Sequence, residues 1–196
     1  MFRIHLNFKI FVMNKKRISE EMEKILNKQV TNEAWNAEIY LAYGAWADDQ
    51  GMTGLSNYLF RHSKEERDHM MKFMQHIMQR GGKVKIDQIP KPLENPKNLK
   101  ECLENLFEAE VENSEAIYKI INLALEEKDW ATWNFLQWFV KEQIEEENLV
   151  EELLDRYNLI SGGGEINGSD LYQFDKDLSK EEDEADIARD SSIEKQ

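Results

Sequence analysis

With Cys102 as its only cysteine, the chain can form no internal disulfide and no Cys-x-x-Cys zinc or iron centre. That suits a reducing, cytoplasmic setting. Only 3 prolines and 9 glycines punctuate 196 residues, so long uninterrupted elements are expected. Cations are short as well: 25 Lys and Arg against 39 Asp and Glu leave a net charge of −14. Such a surface repels nucleic-acid phosphates and attracts cations. No stretch reaches the roughly 18 consecutive apolar residues of a membrane span. What is present is 41% hydrophobic and 33% charged residues, the balance of a folded helical domain rather than a disordered chain.

Residues 1–13 stand apart. Phe2, Ile4, Leu6, Phe8, Ile10 and Val12 alternate with mostly polar residues, a strand period, and read as an extension ahead of a start at Met13. A signal peptide fits poorly, because Asn7 and Lys9 interrupt the apolar core such a segment needs. From Ser19 the period becomes helical. The first seam runs Met22, Leu26, Glu33, Tyr40, Ala47 and ends near the turn sequence DDQGMTG. The second runs Leu55, Leu59, His62, Glu66, His69, Phe73, Ile77 and stops at Arg80-Gly81-Gly82. A crossover carrying all three prolines follows, up to Asn98. The third seam is Leu99, Leu103, Phe107, Glu110, Ile117, Ile121, Ala124. The fourth, capped by Asp129, is Trp133, Leu136, Val140, Gln143, Glu146, Val150, Leu153, Tyr157. LYQFDKDL (171–178) predicts a short fifth helix, and 179–196 an acidic, disordered tail. Short links make helices one and two antiparallel, and likewise three and four. The long link lets helix three run parallel to helix two. The expected fold is all-α: a four-helix bundle with one crossover, spanning 14–178.

Each seam is broken near its middle by a ligand-type residue: Glu33, then Glu66 and His69, then Glu110, then Gln143 and Glu146. One unpaired buried carboxylate costs several kcal/mol. Four would exceed the 5–15 kcal/mol or so that stabilises a typical domain. No Lys or Arg lies on these seams to offset them. A pair of divalent cations would, and carboxylates with an imidazole suit iron or manganese. A lone Glu-x-x-His recurs by chance in charged helices; the coincidence across four helices carries the inference. Bundles with a di-iron carboxylate centre have this plan, with a second Glu-x-x-His where Gln143-x-x-Glu146 stands here.

The stretches KEERDHM, FEAEVE and above all NFLQWFVKEQIEEE (134–147) resemble those of the bacterial non-haem ferritins, and LYQFDKDL resembles that family's C-terminal segment. The resemblance covers roughly residues 14–178. It implies a ferroxidase centre in which Glu33, Glu66 and His69 hold one iron. Glu66 would bridge to a second, held also by Glu110 and Glu146, with Gln143 beside it. It implies a third iron site at Glu65, Glu142 and Glu145, and electron donors in Tyr40 and Trp138. Arg67 stands where haem-binding relatives carry Met, so no haem is expected. The implied reaction is oxidation of Fe(II) by O₂ or H₂O₂, with the product stored as ferric oxyhydroxide inside a 24-subunit shell of identical chains. No nucleic-acid or membrane partner is implied.

Blander readings stand beside these. Glu65, Glu142 and Glu145 also read as solvated helix charges, Tyr40 as a packed hydrogen-bonding residue, and Trp138 as core. His62 and His76 have no carboxylates at their own level in the pattern and read as packed histidines. Cys102 reads as a buried thiol. Two other function classes compete: a di-iron oxygenase or peroxide reductase that stores nothing, and a helical scaffold without metal. The absence of a second Glu-x-x-His and of any electron-transfer domain argues against the first.

Overall fold

The computed structural model describes residues 16–180. The expected N-terminal extension, and the acidic tail beyond Lys180, lie outside the described residues. Five helices follow in order: α1 (Glu20–Asp49), α2 (Thr53–Gln79), α3 (Leu99–Glu127), α4 (Trp130–Ser161) and α5 (Gly168–Leu178). No strand occurs among the described residues. The helix ends follow local chemistry. Ser19 accepts from the Met22 amide, Asn98 from Glu101, and Asp129 from Thr132, each meeting a donor that the first turn leaves unpaired. α5 starts three residues ahead of the expected segment, because Asn167 caps the amides of Ser169 and Asp170.

α1 packs along α2, α3 along α4, and α1 against α3, while α5 lies against α2 and α4. Two apolar clusters result. One, around Leu55, Leu59, Leu103, Leu106 and Phe174, fills the end nearer α5. The other, around Met22, Leu26, Phe73, Ile77 and Phe139, fills the opposite end. Between them, at mid-bundle, lie the polar breaks. Four positions of the expected seams differ: Phe107, Ile121, Trp133 and Val140 are only half-buried. On α4 the buried stripe instead takes in Thr132 and Phe139, so the helix is turned slightly from the expected face.

Two close approaches hold α5. A Cβ added to Gly54 would sit 2.0 Å from the Asp175 carbonyl oxygen, so only glycine fits there. The Asp175 Oδ1 accepts from the Leu55 amide at 2.8 Å. α2 has no capping side chain of its own at Met52, so α5 supplies its cap from 120 residues away.

Candidate metal centre

Glu33 comes from α1, Glu66 and His69 from α2, Glu110 from α3, and Gln143 and Glu146 from α4. None is more than 4% exposed. Two clusters of potential ligands form around His69. Glu33, Glu66 and His69 bring one ligand atom each within 4.8 Å of one another. Glu65, His69, Glu142 and Glu146 do the same on the other side. The imidazole joins them: its Nδ1 lies 3.6 Å from Glu66 Oε2 and its Nε2 3.6 Å from Glu142 Oε1.

Glu110 belongs to neither cluster. Its carboxylate accepts from the Tyr40 hydroxyl at 2.7 Å and from Gln143 Nε2 at 3.2 Å. Tyr40 is thus both packed and hydrogen-bonded to the centre. Glu145 stands away from the other carboxylates, more than half exposed and 3.3 Å from the Lys141 ammonium. Trp138 is not core: it is 39% exposed, edge-on to His69 with ring centroids 5.5 Å apart, and the Lys72 ammonium lies 4.1 Å over its ring.

Burial dominates the electrostatics. It lifts Glu66 and Glu146 well above the usual carboxylate range, and the charge of Glu110 pushes both further. Glu110 is raised by burial too, but the hydrogen bonds from Tyr40 and Gln143 hold it back. Burial opposes a charge on His69, yet Glu142 and Glu66 outweigh it and carry the imidazole well above its ordinary value. Burial and the Glu110 charge raise the Tyr40 phenol, keeping its proton on the oxygen. Without metal, this centre holds protons where cations would sit.

The pattern of seam breaks missed a ring of amides. Gln29 donates to Glu33 Oε1 at 2.7 Å, and Asn113 to Glu33 Oε2 at 3.3 Å. Gln29 also donates to Asn113 Oδ1 at 2.6 Å. Ser114 accepts from Gln143 at 3.4 Å and donates to Glu147. Gln29 is four residues before Glu33, and Asn113 three after Glu110. A search for polar residues one turn from each ligand would have found both.

One expectation is corrected. His62 does have a carboxylate at its level: its Nε2 is 3.7 Å from Glu146 Oε2. The ring packs against Tyr40 and Tyr58, and Nδ1 faces the Tyr58 carbonyl. Packing of antiparallel helices brought together levels that spacing along one helix kept apart. His76 is packed as expected, stacked on Phe135 and bonded through Nε2 to the Thr132 hydroxyl at 2.9 Å. Cys102 is buried.

Residues 23–160 match the ferritin-like domain family. A probable bacterial non-heme ferritin-like protein of Haemophilus influenzae is 38% identical, over 82% of this chain and 95% of its own length. A bacterial non-heme ferritin of Campylobacter jejuni is 34% identical over 81% and 93%. Among solved structures, an open-pore ferritin from the archaeon Archaeoglobus fulgidus superposes with a TM-score of 0.80 at 34% identity, covering 85% of this chain and 99% of that one.

Proposed function

Because the chain belongs to the ferritin family, we propose that it is an iron-storage ferritin that oxidises Fe(II) at the mid-bundle centre. One observation carries this reading: carboxylates from four helices converge with His69 in an apolar interior, at a cost that bound cations offset. Glu33, Glu66 and His69 would hold one Fe(II), and Glu110 with Glu146 a second, bridged by Glu66. Glu110 would exchange its bonds to Tyr40 and Gln143 for the metal. Glu65 and Glu142 would hold a third ion beside the pair, and Glu145 would join them by turning from Lys141. Two irons about 3.5–4 Å apart can deliver two electrons to one oxidant. With O₂ the balance is two Fe(II), one O₂ and two protons giving two Fe(III) and H₂O₂. Tyr40, freed from Glu110 by that exchange, would be the nearby phenol able to supply a further electron to the oxidant. Ferric product would then move inward and mineralise within a 24-subunit cytoplasmic shell.

The test is aerobic addition of Fe(II) to the purified protein, following ultraviolet absorbance and particle mass together. Fast oxidation, iron retained well beyond the ligand capacity of the centre, and a large assembly are expected. A 23.2 kDa monomer, or no oxidation, would refute the reading. Glu66→Ala should abolish the fast phase, since it removes the bridge. A specific observation favours the second reading, a non-storing di-iron oxygenase or peroxide reductase: His62 sets a second imidazole beside Glu146. Iron that leaves the protein as fast as it is oxidised would favour that alternative.

A further inference from the structure

A groove of about 370 Å³ opens between α1 and α3, whereas Glu65 and Glu142, which meet His69, come from α2 and α4. Asn36 and Asn113 line it. Asn113 also donates to Glu33, so a single side chain links the groove to a proposed ligand of the centre. Asn36 is 4% exposed, and its Nδ2 has no hydrogen-bond partner among the described residues. A buried amide donor without an acceptor is costly to keep and marks a place where a small acceptor belongs.

Charge selects the visitor. Lys28 and Lys119 face Glu112 and Glu115 around the groove, two positive against two negative, so it offers a cation no net attraction. The α2–α4 approach to His69 carries Glu65 and Glu142 and is acidic. The metal is drawn to that side. A neutral molecule that accepts hydrogen bonds gains at the amides. We propose that the α1–α3 groove is the entrance for hydrogen peroxide, with Asn36 as its docking residue. The inference rests on the ferroxidase reading above. In the step it serves, the O–O bond breaks and two Fe(II) lose one electron each. The two oxygens take up two protons and leave as water. Dioxygen is apolar and gains nothing from an amide path.

The experiment mixes anaerobic, Fe(II)-loaded protein with H₂O₂ or with O₂ in stopped flow. Asn36→Leu keeps the volume but removes the amide, and Ala116→Phe narrows the groove with Asn36 intact. In both variants peroxide oxidation is expected to slow, in Asn36→Leu by about three- to tenfold, the worth of one neutral hydrogen bond. The O₂ rate, Co(II) binding stoichiometry and melting temperature should not change. An unchanged peroxide rate overturns the inference. So does equal slowing with both oxidants, which would mean the substitutions disturb the centre itself. Wild-type protein that oxidises Fe(II) with neither oxidant overturns the ferroxidase reading and the inference with it.

Discussion

Glu33 is held by amides rather than by cations: Gln29 bonds one carboxylate oxygen and Asn113 the other. Partners of this kind fix a ligand's orientation, and their loss typically lowers metal affinity about 10–100-fold. Gln29→Leu should therefore weaken the first metal by about tenfold or more in a Co(II) titration, with the helical circular-dichroism signal unchanged. His76 makes a prediction about pH. Burial, helped by the Arg80 charge and only partly opposed by Asp129, lowers its pKa to about 4, against a usual value of 6.5. Between those values the unfolded chain binds a proton that the native chain refuses. The contribution of neutral His76 is thus complete above pH 6.5 and is lost as pH falls towards 4. His76→Gln, which keeps a donor for Thr132, should flatten that decline, as read from urea midpoints at pH 4.5 and 7. An equal decline in both proteins would show that another group controls it. At this scale the sequence revealed which polar residues meet at mid-bundle, because a carboxylate on an apolar seam is conspicuous. Gln29 and Asn113 stood out less, since a neutral amide in a charged helix is noticed only once the carboxylate one turn away has been singled out. The sequence hid the meeting of His62 with Glu146, which depends on how α2 and α4 align.

At the scale of elements, the helices and their order were legible from period and caps, down to Asp129 opening α4. The docking of α5 was not, because it depends on one glycine and one aspartate far apart in sequence. Asp175→Ala removes the only side-chain cap that the described residues give α2 and should lower stability by about 0.5–2 kcal/mol in thermal or chemical unfolding. Gly54→Ala should cost more, since its methyl group would collide with the Asp175 backbone and force α5 away. If the methyl were tolerated without loss, α5 would have to be loosely seated. Neither change touches the centre, so metal titrations should read as wild type.

For the whole molecule, the raised pKa values of Glu66, Glu110 and Glu146 have one sign. Above the ordinary carboxylate range the native chain keeps protons that the unfolded chain has lost. Metal-free stability should therefore fall as pH rises from about 4.5 through those native values. The raised His69 acts in the same direction at higher pH. Metal reverses the trend by taking the protons' place. A divalent ion such as Co(II) should raise the melting temperature more at pH 8 than at pH 6, and a chelator should erase the gain. A shift independent of pH would contradict proton displacement at the centre. The crossover from Arg80 to Asn98 has a consequence in time. It divides the chain into two helical hairpins whose contacts are local, and local contacts form fast. Glu33, Glu66 and His69 all lie on the first hairpin, while Glu110, Gln143 and Glu146 lie on the second. A nascent chain that has made only α1 and α2 already owns one complete cluster of candidate ligands, Glu33, Glu66 and the His69 imidazole. The second half brings carboxylates but no histidine of its own, so under the proposed function the order in which the halves emerge and dock would also be the order in which the two metals gain their ligands.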